Sequence, residues 1–169
     1  MTIQTMEDLF VEQIQDLYDA EQRLVKALPK MAEVSTSAEL RSAFESHLQE
    51  TEGHVQRLEQ VFAELGQEPK KETCDAMKGL IKEGEKTMEI EDPALRDAAM
   101  IGAANRVEHY EMAGYGTART LATSLGLSRS ANLLEATLEE EKRADAKLTQ
   151  IAEQSVNQNA TRPRTSHAR

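Results

Sequence analysis

Residues 40–65 read LRSAFESHLQETEGHVQRLEQVFAEL. Positions 40, 44, 47, 51, 54, 58, 61 and 65 follow one another in steps of three and four, the spacing that keeps side chains on one face of an α-helix. The outer positions are apolar: Leu40, Phe44, Leu58, Val61 and Leu65. The middle of the seam is His47, Thr51 and His54, with Glu50 beside them about a quarter-turn round the helix. A helix that is apolar at both ends and carries two imidazoles at mid-seam belongs in a bundle with a polar centre.

The same pattern recurs upstream and downstream. A helix predicted from about Thr5 to Val34 carries Phe10, Ile14, Leu17, Leu24, Leu28 and Met31, with Glu21 in the seam position between Leu17 and Leu24. Thr5 and Asp8 form a capping-box-like pair at its start. Thr36, with Glu39 three residues on, is the expected cap of the second helix, and Gly66 its expected end. Asp92-Pro93 opens a third helix that runs to about Leu125, with Gly126 beyond it. Its seam holds Ile101, Ala104, Glu108, Glu111, Tyr115, Ala118 and Ala122. Ser128 is the expected cap of a fourth, with Leu134, Leu138, Glu141, Asp145, Leu148 and Ala152 along its seam.

Short loops join the first helix to the second and the third to the fourth, so each pair should form an antiparallel hairpin. Between the hairpins, Cys74, Met77, Leu80, Ile81 and Met88 mark a shorter amphipathic helix. About 16 residues of helix are roughly 24 Å long, enough to return along most of the bundle. The reading is all-α: a ferritin-like antiparallel four-helix bundle with a shorter fifth helix in the crossover connection. A shift of 90 residues carries Ile14, Leu17, Glu21, Leu28 and Met31 onto Ala104, Val107, Glu111, Ala118 and Leu121. It also carries Phe44, Leu48, Glu50 and Leu58 onto Leu134, Leu138, Glu140 and Leu148, which fits two related hairpins about a pseudo-twofold axis.

Composition agrees with one helical domain. A chain of 169 residues can bury a real core, and with three Phe, three Tyr and no Trp it favours helix over sheet. The bundle is assigned to residues 1–155, and residues 156–169 to a flexible polar and basic tail. The single cysteine, Cys74, excludes an internal disulfide and fits a reducing, cytoplasmic setting. No apolar run approaches the roughly 18 residues of a membrane span, and MTIQTMEDLF does not read as a signal peptide, so no membrane partner is expected. The net charge is −10, and setting aside Arg162, Arg164 and Arg169 leaves −13 on the remainder. That surface repels phosphate backbones, which argues against nucleic acid as a partner. There is no Gly-rich phosphate loop and no nucleophile motif.

All four long helices break their apolar seam near mid-length. Glu21 lies about 13 residues before the first turn, and His47 and Glu50 a similar distance beyond it. Glu111 and Glu141 stand about 15 residues either side of the second turn. Residues equidistant from a hairpin turn share a height, so these groups should converge in one layer. An ionised carboxylate buried without a partner costs several kcal/mol, more beside like charges. Two divalent cations would neutralise most of that charge, and carboxylate with imidazole suits iron or manganese. The candidate ligands are Glu21, His47, Glu50, His54, Glu108, Glu111, Glu141 and Asp145. One Glu or His on a seam is more often a snorkelling or hydrogen-bonded residue, and a proton-sharing network that fixes helix register is the competing explanation. Five acids and two histidines at one level favour metal. Tyr115, one turn from Glu111, reads as packing before redox chemistry; His109 points off the seam to the surface, and Cys74 reads as a small apolar residue.

With these residues in view, the chain resembles the YciF/YciE family of bacterial stress proteins within the ferritin-like superfamily. The resemblance spans roughly residues 5–155 and rests on Leu17-Tyr18-Asp19-Ala20-Glu21, His47-Leu48-Gln49-Glu50-Thr51-Glu52-Gly53, Cys74-Asp75-Ala76-Met77-Lys78-Gly79-Leu80-Ile81, Val107-Glu108-His109-Tyr110-Glu111 and Leu138-Glu139-Glu140-Glu141-Lys142. It implies a rubrerythrin-like bundle, a homodimer, a di-metal centre and a link to stress responses. Glu21, Glu111 and Glu141 carry over most directly, Glu50 and Glu108 next, then His47, His54 and Asp145. Two departures stand out: Thr51-x-x-His54 and Glu141-x-x-Ala144 replace the Glu-x-x-His of di-iron bundles. The expected activity is an oxidoreductase of peroxidase or ferroxidase type, or iron handling. With no Cys-x-x-Cys module, its electrons would come from another protein or from substrate. The alternative is a non-enzymatic acidic stress protein acting by dimerisation or partner binding, its polar layer structural. Storage in a ferritin-like cage is weaker, because the chain offers no assembly signal.

Overall fold

The computed structural model describes residues 3–161. Thr5 opens α1 (Met6–Val34) with the expected capping box: its hydroxyl accepts from the Asp8 N–H at 3.0 Å, and the Asp8 carboxylate accepts from the Thr5 N–H at 2.9 Å. The cap of α2 (Ala38–Glu64) is Ser37 instead of Thr36. Asp97 accounts for the difference, because its carboxylate accepts from the N–H groups of Thr36 at 3.0 Å and Ser37 at 2.7 Å. The crossover contains α3 (Asp75–Met88), and α4 (Pro93–Ser124) starts behind an Asp92 cap. Next comes α5 (Ser128–Ile151), whose first residue is Ser128; position 127 precedes it as a leucine with no side-chain cap. Gly66 and Gly126, at φ 65° and 74°, end α2 and α4 in the left-handed conformation that glycine adopts without penalty.

In the bundle α1 packs against α2 and α4, and α5 packs against the same two. The diagonals are therefore α1 with α5 and α2 with α4. Asp97, in the second turn of α4, holds the α1–α2 turn, so α4 starts at the end where α2 starts. Every adjacent pair is antiparallel as a result. The 14 residues of α3 span about 21 Å against α1 and α4 and return the chain between the hairpins. Asp19 anchors the start of that return: buried on α1, it accepts from the Cys74 N–H at 2.9 Å and from Arg23 Nε at 2.6 Å. This is the ferritin-like connection that the loop lengths predict. Among the described residues the elements are all helical.

The core is divided. One apolar cluster, including Leu28, Leu40, Phe44, Met77 and Met100, lies at the α1–α2 turn end. A second, including Phe10, Ile14, Leu58, Phe62 and Leu134, fills the opposite end. The polar layer sits between them. The helical packing also extends past the expected boundary at residue 155. A π-helical turn (Ala152–Val156) leads into α6 (Asn157–Ala160), and Val156 is buried. The extra residue per turn in the π segment brings Val156 round to the core. The rest of the expected tail, residues 162–169, lies outside the described residues.

Candidate metal centre

Six of the eight predicted ligands meet at mid-bundle. Glu21 comes from α1, His47 and His54 from α2, Glu108 and Glu111 from α4, and Glu141 from α5; all are buried. They form two groups, His47 with Glu108, Glu111 and Glu141, and Glu21 with His54 and Glu141. Within each group, ligand-type atoms lie no more than 4.8 Å apart. Glu141 belongs to both, and its two oxygens divide accordingly: Oε1 lies 3.0 Å from His54 Nδ1, and Oε2 lies 3.6 Å from His47 Nε2. His54 Nδ1 is also 3.3 Å from Glu21 Oε1, and His47 Nε2 is 3.4 Å from Glu108 Oε1.

Each imidazole turns one nitrogen inward and fixes the other on a carboxylate outside the layer. His54 Nε2 meets Glu140 Oε2 at 2.9 Å, and Arg57 grips that carboxylate through both terminal nitrogens. His47 Nδ1 meets Glu50 Oε2 at 3.3 Å. A histidine that donates its outer N–H to a carboxylate has its tautomer and ring orientation set, and presents a lone pair on the other side. Glu50 thus stands outside the cluster, with its side chain 40% exposed, and acts on His47 instead of facing the centre. Asp145 is also outside. It accepts from Asn105 Nδ2 at 2.6 Å and faces the exposed His109 at 3.3 Å, one turn beyond Glu141 and toward the α4 edge.

Sequence reasoning missed Glu140 and Arg57. A signal was present for Glu140, since the 90-residue shift superposes it on Glu50, and both serve the outer nitrogen of a histidine. Nothing in the linear pattern marks Arg57. Tyr115 is buried, as packing predicts, and its hydroxyl also donates to Glu21 Oε1. Cys74 is more than a small apolar residue: it is the N-cap of α3, its Sγ accepting from the Met77 N–H at 3.3 Å and lying 3.0 Å from the Tyr110 hydroxyl.

The electrostatics of the layer are those of crowded acids in a dry core. Burial pushes the Glu108 and Glu111 carboxyls well above the ordinary range and raises Glu21 as well, with neighbouring carboxylates such as Glu141 adding to each. Burial works against protonation of His47, yet the facing Glu108 carboxylate and the hydrogen bond with Glu50 outweigh it and push the imidazole up to about 9. For His54, burial is again outweighed, here by Glu21 and Glu141, and the ring is pushed up to about 11.

Even so, the interior faces of these side chains are incompletely satisfied. Glu21 Oε2, Glu108 Oε2 and both oxygens of Glu111 are buried and make no hydrogen bond, while His47 Nε2, His54 Nδ1 and the two Glu141 oxygens meet only one another and the Glu21 and Glu108 carboxylates, at 3.0–3.6 Å. Buried polar groups in native proteins are normally satisfied, and four unbonded carboxylate oxygens beside two histidine–carboxylate contacts at one level call for an occupant. The donor set suits two divalent ions: four carboxylates carry −4 against +4, with two neutral imidazoles completing the shells. The residues fit the group that the fold implies.

Residues 5–161 match the family described as "Domain of unknown function (DUF892)". The chain belongs to this family. It is 46% identical over 162 residues to Protein YciF of Escherichia coli (strain K12), covering 95% of this chain and 98% of that protein. The crystal structure of that E. coli stress protein superposes with a TM-score of 0.88 over 92% of this chain and 99% of the other, at 45% identity. YcfI from Rhodopseudomonas palustris is similar at 47% identity and a TM-score of 0.84, over 87% and 94% of the two chains. A two-domain protein from Anabaena variabilis, containing DJ-1/ThiJ/PfpI-like and ferritin-like domains, matches at 12% identity and a TM-score of 0.62. That match covers 98% of this chain and 41% of the other, and bears on the fold alone. The chain is thus a YciF-type stress-protein relative with a ferritin-like fold. Among the described residues, no helix is long and apolar enough to cross a membrane.

Proposed function

We propose that this protein is a stress-response metalloprotein that holds two iron or manganese ions in its bundle and uses them to reduce peroxide or dioxygen, or to oxidise iron. The observation that carries the reading is the set of eight buried ligand-type atoms that converge from four helices and are satisfied, where at all, only by one another. Glu141 would be shared between the ions, with Glu108, Glu111 and His47 on one side and Glu21 and His54 on the other. Such ions supply a one-electron couple at each centre and a Lewis-acidic position for an oxygen ligand.

The chain's own residues do the rest. Glu140 and Glu50 hold the outer N–H of each histidine, Arg57 holds Glu140, and the Tyr115 hydroxyl holds Glu21. The apolar clusters above and below close the layer at its two ends and keep water from the Glu21–His54 half, which is 0% exposed. Electrons come from a separate donor protein or from the substrate; the working unit is a homodimer, as the family resemblance implies, in the reducing cytoplasm that a single cysteine fits.

The test is metal content. Protein purified from cells grown with iron and manganese should carry close to two ions per chain by elemental mass spectrometry, a figure expected from the ligand count. A Glu21→Ala Glu141→Ala variant that still folds should lose both the metal and peroxide consumption. Folded wild-type protein that refuses reconstitution would instead support the reading of the layer as a register-fixing device in an interaction protein.

A further inference from the structure

The two halves of the centre differ in how they meet solvent. Glu21 and His54 are 0% exposed, and the Tyr115 hydroxyl closes over Glu21. The other half opens on a cavity of about 230 Å3 between α2 and α5, in whose wall lie His47 and Glu108 but neither Glu21 nor His54. A buried water needs only about 10–15 Å3 on a comparable measure, so the cavity has room for a small molecule. Both His47 and Glu108 are more than nine-tenths buried; Glu108 Oε2 has no hydrogen-bond partner, and His47 Nε2 faces only the Glu108 and Glu141 carboxylates, at 3.4 and 3.6 Å.

Ala144 explains why the cavity reaches the layer. It lies three residues after Glu141, on the same face of α5, at the position where di-iron bundles place the histidine of Glu-x-x-His. Here the side chain is a methyl group, and it lines the cavity. A ligand is therefore missing on the side that opens to solvent. The rest of the wall is amphiphilic, with Phe44 and Leu148 on one hand and, on the other, the exposed cations Arg143 and Lys147 beside the Glu50 carboxylate, Arg143 Nη2 also lying 3.9 Å from Glu140 Oε1. Outside the ligand set, two cations against the one carboxylate of Glu50 leave this wall cation-rich on a chain of net charge −10, which favours anions there over the surrounding surface.

We propose that the Ala144 cavity is the entry and binding site for a small monoanion, of the class of azide, hydroperoxide or a short carboxylate. Its charged end fills the position that Ala144 leaves open beside His47 and Glu108, while Arg143 and Lys147 draw it in. This site rests on the di-metal reading above, and it adds what that reading lacks: an open face, an access route and a substrate charge.

Azide is the probe. It is titrated into the iron(III)-loaded full-length protein, the visible charge-transfer absorption is followed, and metal per chain is measured on the same samples. Wild-type protein should give a saturable response that weakens as salt is added. Ala144→Leu should keep its metal and bind azide at least about tenfold more weakly, because the added side chain fills the open position. Ala144→Ser, which leaves the space, should bind as wild type does. Arg143→Ala Lys147→Ala, changed at exposed positions and with Glu140 still held by Arg57, should keep its metal, lose roughly three- to tenfold in affinity and lose most of the salt dependence. This pair decides the matter if Ala144→Leu fails to fold. Metal-loaded wild-type protein with no azide response overturns the proposal, as does unchanged azide affinity in both the Ala144→Leu and the double variant. Either result leaves the di-metal reading standing. Wild-type protein without metal overturns both, and the metal measurement tells the cases apart.

Discussion

Replacing Glu111 by leucine should stabilise the protein in chelator and remove its stabilisation by metal. Glu111 is 0% exposed and neither carboxyl oxygen has a hydrogen-bond partner. Burial, followed by the neighbouring Glu141, Glu21 and Glu108 charges, pushes its carboxyl well above the ordinary range, so the uncharged form is favoured and the group has no hydrogen-bond partner. An unsatisfied buried group of that kind costs about 1–3 kcal/mol. Leucine removes the cost and, being slightly larger, returns up to about 1 kcal/mol as packing strain. The net gain of about 1–2 kcal/mol corresponds to roughly 2–8 °C in Tm for a domain of this size. In excess manganese the order reverses. An ion at a hundred times its Kd stabilises wild-type protein by about 2.7 kcal/mol, roughly 5–11 °C, and the variant has lost a ligand from the His47 side. Far-UV circular dichroism melts of both proteins, in chelator and in manganese, give the four midpoints. A variant less stable than wild type in chelator, or equal metal shifts in the two proteins, would refute the reasoning.

Three further outcomes follow from the same contacts. His47 and His54 titrate at about 9 and about 11 in the fold against an ordinary 6.5, so the stability they contribute to metal-free protein is complete below pH 6.5 and is lost as pH rises through those values. Metal-free Tm should therefore fall from pH 6.5 to 9, whereas metal affinity should rise over that window because the ligands must shed protons; a metal-free Tm that climbs would contradict this. Arg57→Ala frees Glu140 from its clamp on His54 and should lower metal affinity about 10–100-fold by calorimetric titration, with the helical content unchanged. Asp97→Ala strips the acceptor from two N–H groups at the α1–α2 turn and should cost about 1–3 kcal/mol in denaturant unfolding, leaving metal content as in wild type.

The sequence by itself determined the helices, their pairing and the existence of a polar layer. Steps of three and four fix which residues share a face, and distance from a hairpin turn fixes their height. Those two coordinates suffice to bring Glu21, His54, Glu111 and Glu141 together, and the Gly66 and Gly126 stops follow from a backbone conformation that glycine alone adopts freely. What spacing along one helix leaves open is the distance and rotation of its neighbours, which packing sets. Glu108 stands on the α4 seam and Glu50 about a quarter-turn off the α2 seam, and packing makes the difference decisive: Glu108 faces the centre, while Glu50 stays at the rim beside His47. Asp145 continues the α5 seam in register, but Asn105 on α4 captures it. The sharing of Glu141, the Arg57–Glu140–His54 chain and the shift of the α2 cap from Thr36 to Ser37 all depend on groups distant in the chain. Their partners are chosen by the geometry between helices, which the periodicity within a helix does not encode.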